Sequence, residues 1–162
     1  MADIGVVSVV QPAFIDAFGD QMLEILGADR ADQAVRIATA TAAGIVLAAS
    51  SDRPVAEGSP LRGIQAMAER LTASGRIMGE GERVPVQEAL VAYTRNGAIA
   101  AHRETEFGMI ASRLRADLVV LGDDPVELAI DRVSGIAVLA TLVDGLATHD
   151  REFALARLPE AS

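Results

Sequence analysis

Ile45-Val46-Leu47-Ala48-Ala49-Ser50-Ser51-Asp52-Arg53-Pro54-Val55 is the stretch that decides how this chain reads. Its first five residues are uninterrupted and apolar, the pattern of a strand buried on both faces. The run then meets two serines, a carboxylate and a proline, and proline cannot donate to a continuing ladder. The strand therefore stops with Asp52 just past its C-terminal end. In a parallel barrel that end is where the chemistry is kept. An aspartate shortly before a proline is also ordinary turn chemistry, and the local sequence leaves both readings open.

The surroundings repeat the arrangement. Val6 to Val10 is a second apolar run, closed by Gln11-Pro12, and helical patterns follow each run, over Asp20 to Ala43 and Pro60 to Ser74. Strand and helix in alternation are the mark of parallel βα units. Gly27-Ala28-Asp29 is expected to split the first helical segment, with the second part running from about Asp29 to a stop at Gly44. Ser59 and Pro60 supply an N-cap and a first-turn proline for the next helix. Residues 74–83 hold three glycines and no apolar periodicity, so a loop is expected. A helix over residues 84–106 and short β segments at 107–110, 116–121 and 138–143 follow. Asp144-Gly145 forms a hairpin turn into Leu146-Ala147-Thr148. Residues 150–162 show no pattern and read as a tail.

Composition narrows the function. The 162 residues are 51% hydrophobic, enough for one domain with a core, and carry a formal charge of −9, with arginine as the whole basic complement. A clustered positive field for nucleic acid is absent, since phosphate binding needs one. Without cysteine there are no disulfides and no thiolate ligands. The apolar runs are far shorter than the ~20 residues of a membrane span, and cytoplasm is the expected location. The chain opens almost directly into a strand, which reads as a cut beginning.

Asp52 suits oxygen ligation of a metal and acceptance of a proton from water. Gln11 could contact substrate through its amide, while a turn closing the strand accounts for Gln11-Pro12 equally. His102 ends a predicted helix, where the dipole favours it, and His149 is expected in the tail beside Asp150-Arg151; neither has zinc-ligand spacing. Asp123-Asp124 before Pro125 reads as a solvated turn, Gly79-Glu80-Gly81 as no phosphate loop, and Tyr93 as a core residue.

Five pieces in order, Ser8-Val9-Val10-Gln11-Pro12, Ala49-Ser50-Ser51-Asp52-Arg53-Pro54-Val55, Pro60 to Gln65, Glu88 to Thr94 and Ala116 to Pro125, resemble the C-terminal third of type-3 metal-dependent amidohydrolases, the N-substituted formamide deformylase-like branch. The likeness covers about residues 1–148. It implies an α/β fold: the last two βα units of a TIM-type barrel (1–83), a connecting helix (84–106), the C-terminal part of a small β-sandwich (107–149) and a tail (150–162). It also implies hydrolysis of non-peptide carbon-nitrogen bonds in a small amide-type substrate. By that resemblance Asp52 is the metal-contacting catalytic aspartate that shuttles a proton from water to the leaving group, and Gln11 lies toward substrate. The implied cofactor is a divalent metal, zinc, in the complete enzyme.

The sequence departs from the family's pattern at Ala13, where relatives often carry a polar residue or histidine. It departs again at Ala111-Ser112-Arg113-Leu114-Arg115, which replaces a Pro-Gly-Lys turn. The family's metal-binding histidines would lie upstream of Met1. A catalytic zinc needs about three protein ligands, so the chain is expected to bind no metal and to be inactive alone, with a complementary N-terminal chain or a homo-oligomer as partner. The alternative is a non-catalytic binding or assembly module derived from an amidohydrolase.

Overall fold

The computed structural model describes residues 1–151 and Leu155. Most of the tail expected over 150–162 lies outside these residues. Two small sheets and six helices make a mixed α/β structure among the described residues.

The first sheet is a parallel pair, β1 (Ser8–Val10) and β2 (Leu47–Ala49), with Val10 opposite Ala49. Each strand is shorter than its apolar run. The long connection between them carries α1 (Ala13–Leu26), α2 (Ala28–Ala31) and α3 (Ile37–Ala42). The helix begins at Ala13 rather than near Asp20 because Pro12 already has helical dihedrals and is pre-set for a first turn. Ile15, Gly19 and Leu23, at spacing four, form its buried stripe. Gly27 breaks the segment as expected. The second part is itself broken between α2 and α3, where Val35 adopts a left-handed φ of 54°. Gly44, at φ 76°, ends the excursion.

Helix α4 (Pro60–Glu69) starts where Ser59 accepts a hydrogen bond from the Arg62 amide, 3.4 Å away. It stops at Arg70, not Ser74, because Arg70 turns left-handed (φ 61°). Leu61, Ile64, Met67 and Ala68 form its core face with Ile37, Leu47, Val84, Val86, Ala89 and Ala92. A smaller cluster, Ile15, Leu23, Ala31 and Met78, lies under α1. The loop expected over 74–83 contains one 3₁₀ turn, Glu80–Glu82.

The single helix expected over 84–106 is two, α5 (Val86–Tyr93) and α6 (Arg95–Ala100), separated at Thr94. The Thr94 hydroxyl bonds back to the Leu90 carbonyl at 2.7 Å, offering the chain an alternative to continued helix. Phe107–Ile110 is not a strand. Phe107 instead lies beneath two guanidiniums, of Arg115 (4.9 Å from the ring centre) and Arg103 (5.5 Å), and this stack shapes the segment.

The second sheet runs β3 (Leu118–Leu121), β4 (Val138–Val143), β5 (Leu146–Asp150), all antiparallel. Asp144 and Gly145 both have positive φ, 52° and 77°, as the hairpin turn requires. Strand β5 reaches Asp150, so His149 belongs to a strand and not to a tail. Between β3 and β4 a 3₁₀ segment, Ile130–Gly135, lies against α4, and buried Val133 and Ile136 join the main core. The Ser134 amide donates to the Gln65 side chain at 2.7 Å.

Candidate functional site

Because β1 and β2 run parallel in register, the residues that follow them emerge side by side. The Ser50 amide extends the ladder by bonding the Val10 carbonyl at 2.8 Å. The Gln11 amide nitrogen donates to the Ser50 hydroxyl at 3.3 Å, so both residues after the strands are joined. Ser51 caps the next step by accepting from the Arg53 amide at 3.4 Å.

Asp52 follows with φ 52°, a left-handed conformation that Asp tolerates better than most residues. Its carbonyl accepts from the Val55 amide at 2.9 Å, closing a four-residue turn with a cis Arg53–Pro54 bond. The carboxylate is exposed and has no hydrogen-bond or ion-pair partner among the described residues. Gln11 and Asp52 thus stand at the same end of the sheet. The turn that explains Asp52 locally also presents it there.

A second polar group flanks this end. Arg62, in the first turn of α4, donates to Asp16 of α1 at 2.7 Å and also pairs with Glu57. The Asp16 hydrogen bond, then the charges of Asp16 and Glu57 against partial burial, raise the Arg62 pKa. Arg62 ties the loop after β2 to the helix after β1. The sequence reading missed this link because its partners lie 46 and 5 residues away, with no local pattern joining them.

Two further polar residues were invisible in the sequence. Arg70 is fully buried and donates to three carbonyls, of Met78 (2.8 Å), Val35 (2.9 Å) and Ala34 (3.2 Å). Burial lowers its pKa, against the opposing charges of Glu82 and Asp32. Glu82 is also buried and accepts from the Thr39 amide at 2.9 Å and from the Thr39 hydroxyl. Burial acts to raise the Glu82 carboxyl; the two Thr39 bonds, Arg36 and Arg70 outweigh it and hold the pKa below its usual range. These groups brace the α2–α3 excursion against the loop after α4.

The histidines stand elsewhere. His102 follows α6, exposed and left-handed (φ 55°), and His149 lies on β5 with a ring nitrogen 3.4 Å from the Val138 carbonyl. No group of three His, Cys, Asp or Glu side chains able to hold a metal exists among the described residues. Asp52 offers a single oxygen ligand. The donor set of the described residues does not fit a catalytic metal site by itself.

Two parallel strands, each followed by a helix and each delivering polar groups to one shared end, together with a separate antiparallel sheet, define a mixed α/β chain. Residues 1–149 match the amidohydrolase family, and the chain belongs to that family. It is 32% identical to an N-substituted formamide deformylase of Arthrobacter pascens, over 93% of this chain and 28% of the relative. It is 30% identical to a putative amidohydrolase, YtcJ, of Bacillus subtilis (strain 168), over 88% of this chain and 27% of the relative. The chain thus spans about a quarter of the length of these relatives. A metal-dependent hydrolase of Pyrococcus furiosus superposes with a TM-score of 0.66 at 28% identity, covering 78% of this chain and 25% of that one. An amidohydrolase of Thermotoga maritima shares the fold, with a TM-score of 0.62 at 22% identity over 93% of this chain and 33% of that one. No helix among the described residues is long and apolar enough to cross a membrane.

Proposed function

We propose that this chain is the closing part of an amidohydrolase acting on a non-peptide carbon-nitrogen bond of a small amide-type substrate. Residues 1–83 supply the last two βα units of a barrel, residues 84–106 a connection, and residues 107–149 part of a small β-sandwich. Asp52 is its catalytic carboxylate. It takes a proton from the attacking water and returns it to the leaving nitrogen, a task for which a carboxylate at a fixed position is suited. Gln11, held by Ser50, offers an amide for orienting substrate.

The observation that carries this reading is the placement of Asp52: exposed, unpartnered among the described residues and fixed by a turn at the shared end of two parallel strands. A divalent metal, zinc in our reading, would take Asp52 as one ligand in the complete enzyme and would supply Lewis-acid chemistry there. Asp52 is the one ligand that this reading draws from the chain, and since a catalytic zinc needs about three protein ligands the chain alone is expected neither to hold the metal nor to turn over.

Two measurements test this. The purified chain, incubated with zinc and dialysed, is expected to retain far less than one metal per chain and to leave N-substituted formamides intact; stoichiometric metal with turnover refutes the inactivity. Substituting this chain for the matching segment of the Arthrobacter deformylase is expected to give an active chimaera that Asp52→Asn slows by about 10²–10⁴-fold. An active chimaera indifferent to that change removes Asp52 from the chemistry. A second reading, a non-catalytic assembly module, is favoured by the outward-facing Val9 on β1, which is 53% exposed.

A further inference from the structure

Arg62 breaks a local rule of helix construction. The third place after a serine N-cap ordinarily carries Glu or Gln, whose side chain closes a capping box and whose acidic form suits the positive end of the helix. In α4 that place, opposite the Ser59 cap, holds an arginine, and the first turn contains no acidic residue. Nothing within the helix favours a cation there. Two carboxylates brought from other elements do: Asp16 of α1, which accepts from the Arg62 Nε at 2.7 Å, and Glu57 of the loop after β2. A planar guanidinium can serve both at once, a task for which the compact ammonium of lysine is less suited. Departures of this kind from local rules concentrate at functional sites.

Each carboxylate is tied to one of the two strand-end residues. The Gln11 carbonyl accepts from the Phe14 amide at 3.1 Å and the Pro12 carbonyl from Ile15 at 3.0 Å, so the chain passes from Gln11 into α1 without slack and Asp16 falls in the first turn. The Asp16 carbonyl accepts in turn from the Ala73 amide at 3.2 Å, which anchors that turn to the segment after α4. On the other side Asp52 closes its turn on Val55, Ala56 is buried, and Glu57 follows. Glu57 stands as far along the chain past Asp52 as Asp16 stands past Gln11. The Arg53 stem lies against Gly58, where a Cβ would come within 2.9 Å of its Cδ, so the returning limb of the loop is packed on the outgoing one. Among the described residues the Glu57–Arg62 pair is the charged link from this loop to the helices.

We propose that Arg62 is a positioning residue of the candidate site: by gripping Asp16 and Glu57 together it fixes the Asp52 turn relative to Gln11. Its role rests on the reading of Asp52 as the catalytic carboxylate, and it acts through Glu57 and the turn, not on the reacting atoms. The Arg62 side chain is 46% exposed, and ion pairs this open add little to global stability. Their effect is on geometry, where a misplacement of about 1 Å can slow a reaction by about 10²-fold.

Two measurements test this. In the purified chain, water-exchange NMR reads the Asp52 turn at the Val55 amide. Arg62→Met is expected to speed exchange there by about fivefold or more and to leave Met67, in the middle of α4, unchanged, with Arg62→Lys recovering part of the loss. Unchanged exchange at Val55 overturns the proposal, and this readout needs no turnover. In the chimaera with the Arthrobacter deformylase, Arg62→Met is expected to lower kcat by about 10–100-fold at a nearly constant KM. In the Asp52→Asn background the same change is expected to lower kcat no further. A residue that only supports the fold slows both backgrounds alike, so additive losses overturn the proposal. An Asp52→Asn chimaera as active as its parent overturns the reading of Asp52 and the positioning role with it, whereas a slow Asp52→Asn beside an indifferent Arg62→Met overturns the positioning role alone. If Arg62→Met does not fold, Glu57→Gln on the exposed partner makes the same comparisons.

Discussion

Asp52 and Arg70 share a left-handed backbone and use it to opposite ends. At Asp52 the conformation admits short side chains that bond locally and disfavours longer ones. Asp52→Asn should therefore keep the fold, within about 0.5 kcal/mol by urea denaturation, as surface changes usually do. At Arg70 the same backbone turns a long side chain inward to serve the carbonyls of Ala34, Val35 and Met78. Arg70→Met fills much of the space but strands those acceptors, and should cost about 3 kcal/mol at an unchanged denaturant slope. Tyr93 provides a pH test, because burial pushes its phenol up to about 12 from 10.0. The unfolded chain releases that proton first. The stability this contributes is complete below about pH 10 and lost as pH rises toward 12, which tyrosinate absorbance in native and denatured protein can follow. Glu82 has the opposite sign: its lowered pKa contributes stability above the ordinary carboxyl range that is lost as the solution is acidified. Glu82→Gln should flatten the acid side of the stability profile.

Elements were legible in the sequence where one local rule governed them. The Ser59-Pro60 start of α4, the break at Gly27 and the Asp144-Gly145 hairpin each follow from chemistry within a few residues. Gly145→Ala should cost about 1 kcal/mol in thermal or urea unfolding, because the turn needs a positive φ there. The parallel pairing of β1 and β2 was legible from two apolar runs separated by helix. The ends of elements were not, since α4 stops at Arg70 for partners found only in the folded chain. Thr94 divides α5 from α6 by a side-chain bond to Leu90 that competes with the helix. Phe107–Ile110 reads as a strand by composition, but the Arg103 and Arg115 guanidiniums claim its aromatic ring. At the candidate site the carboxylate and the amide were visible as strand-end residues. Their contact through Ser50 was not, because 39 residues separate Gln11 from it.

Across the whole molecule the two sheets meet through α4. Arg62 holds its first turn to α1, Gln65 receives Ser134, and Ile64 and Met67 share one core with Val133 and Ile136. Hydrogen exchange should accordingly be slowest in the middle of α4 and fast in β5, whose residues are nearly all exposed. The shared core also governs what happens when the chain is cut. A protease nick within residues 101–117, between the last helix and β3, severs one peptide bond while leaving every contact of α4 in place. The two pieces are expected to co-elute as one particle in buffer and to part only in urea. What joins the front of this protein to its back is a buried seam, and the covalent thread running beside it is dispensable once folding is done.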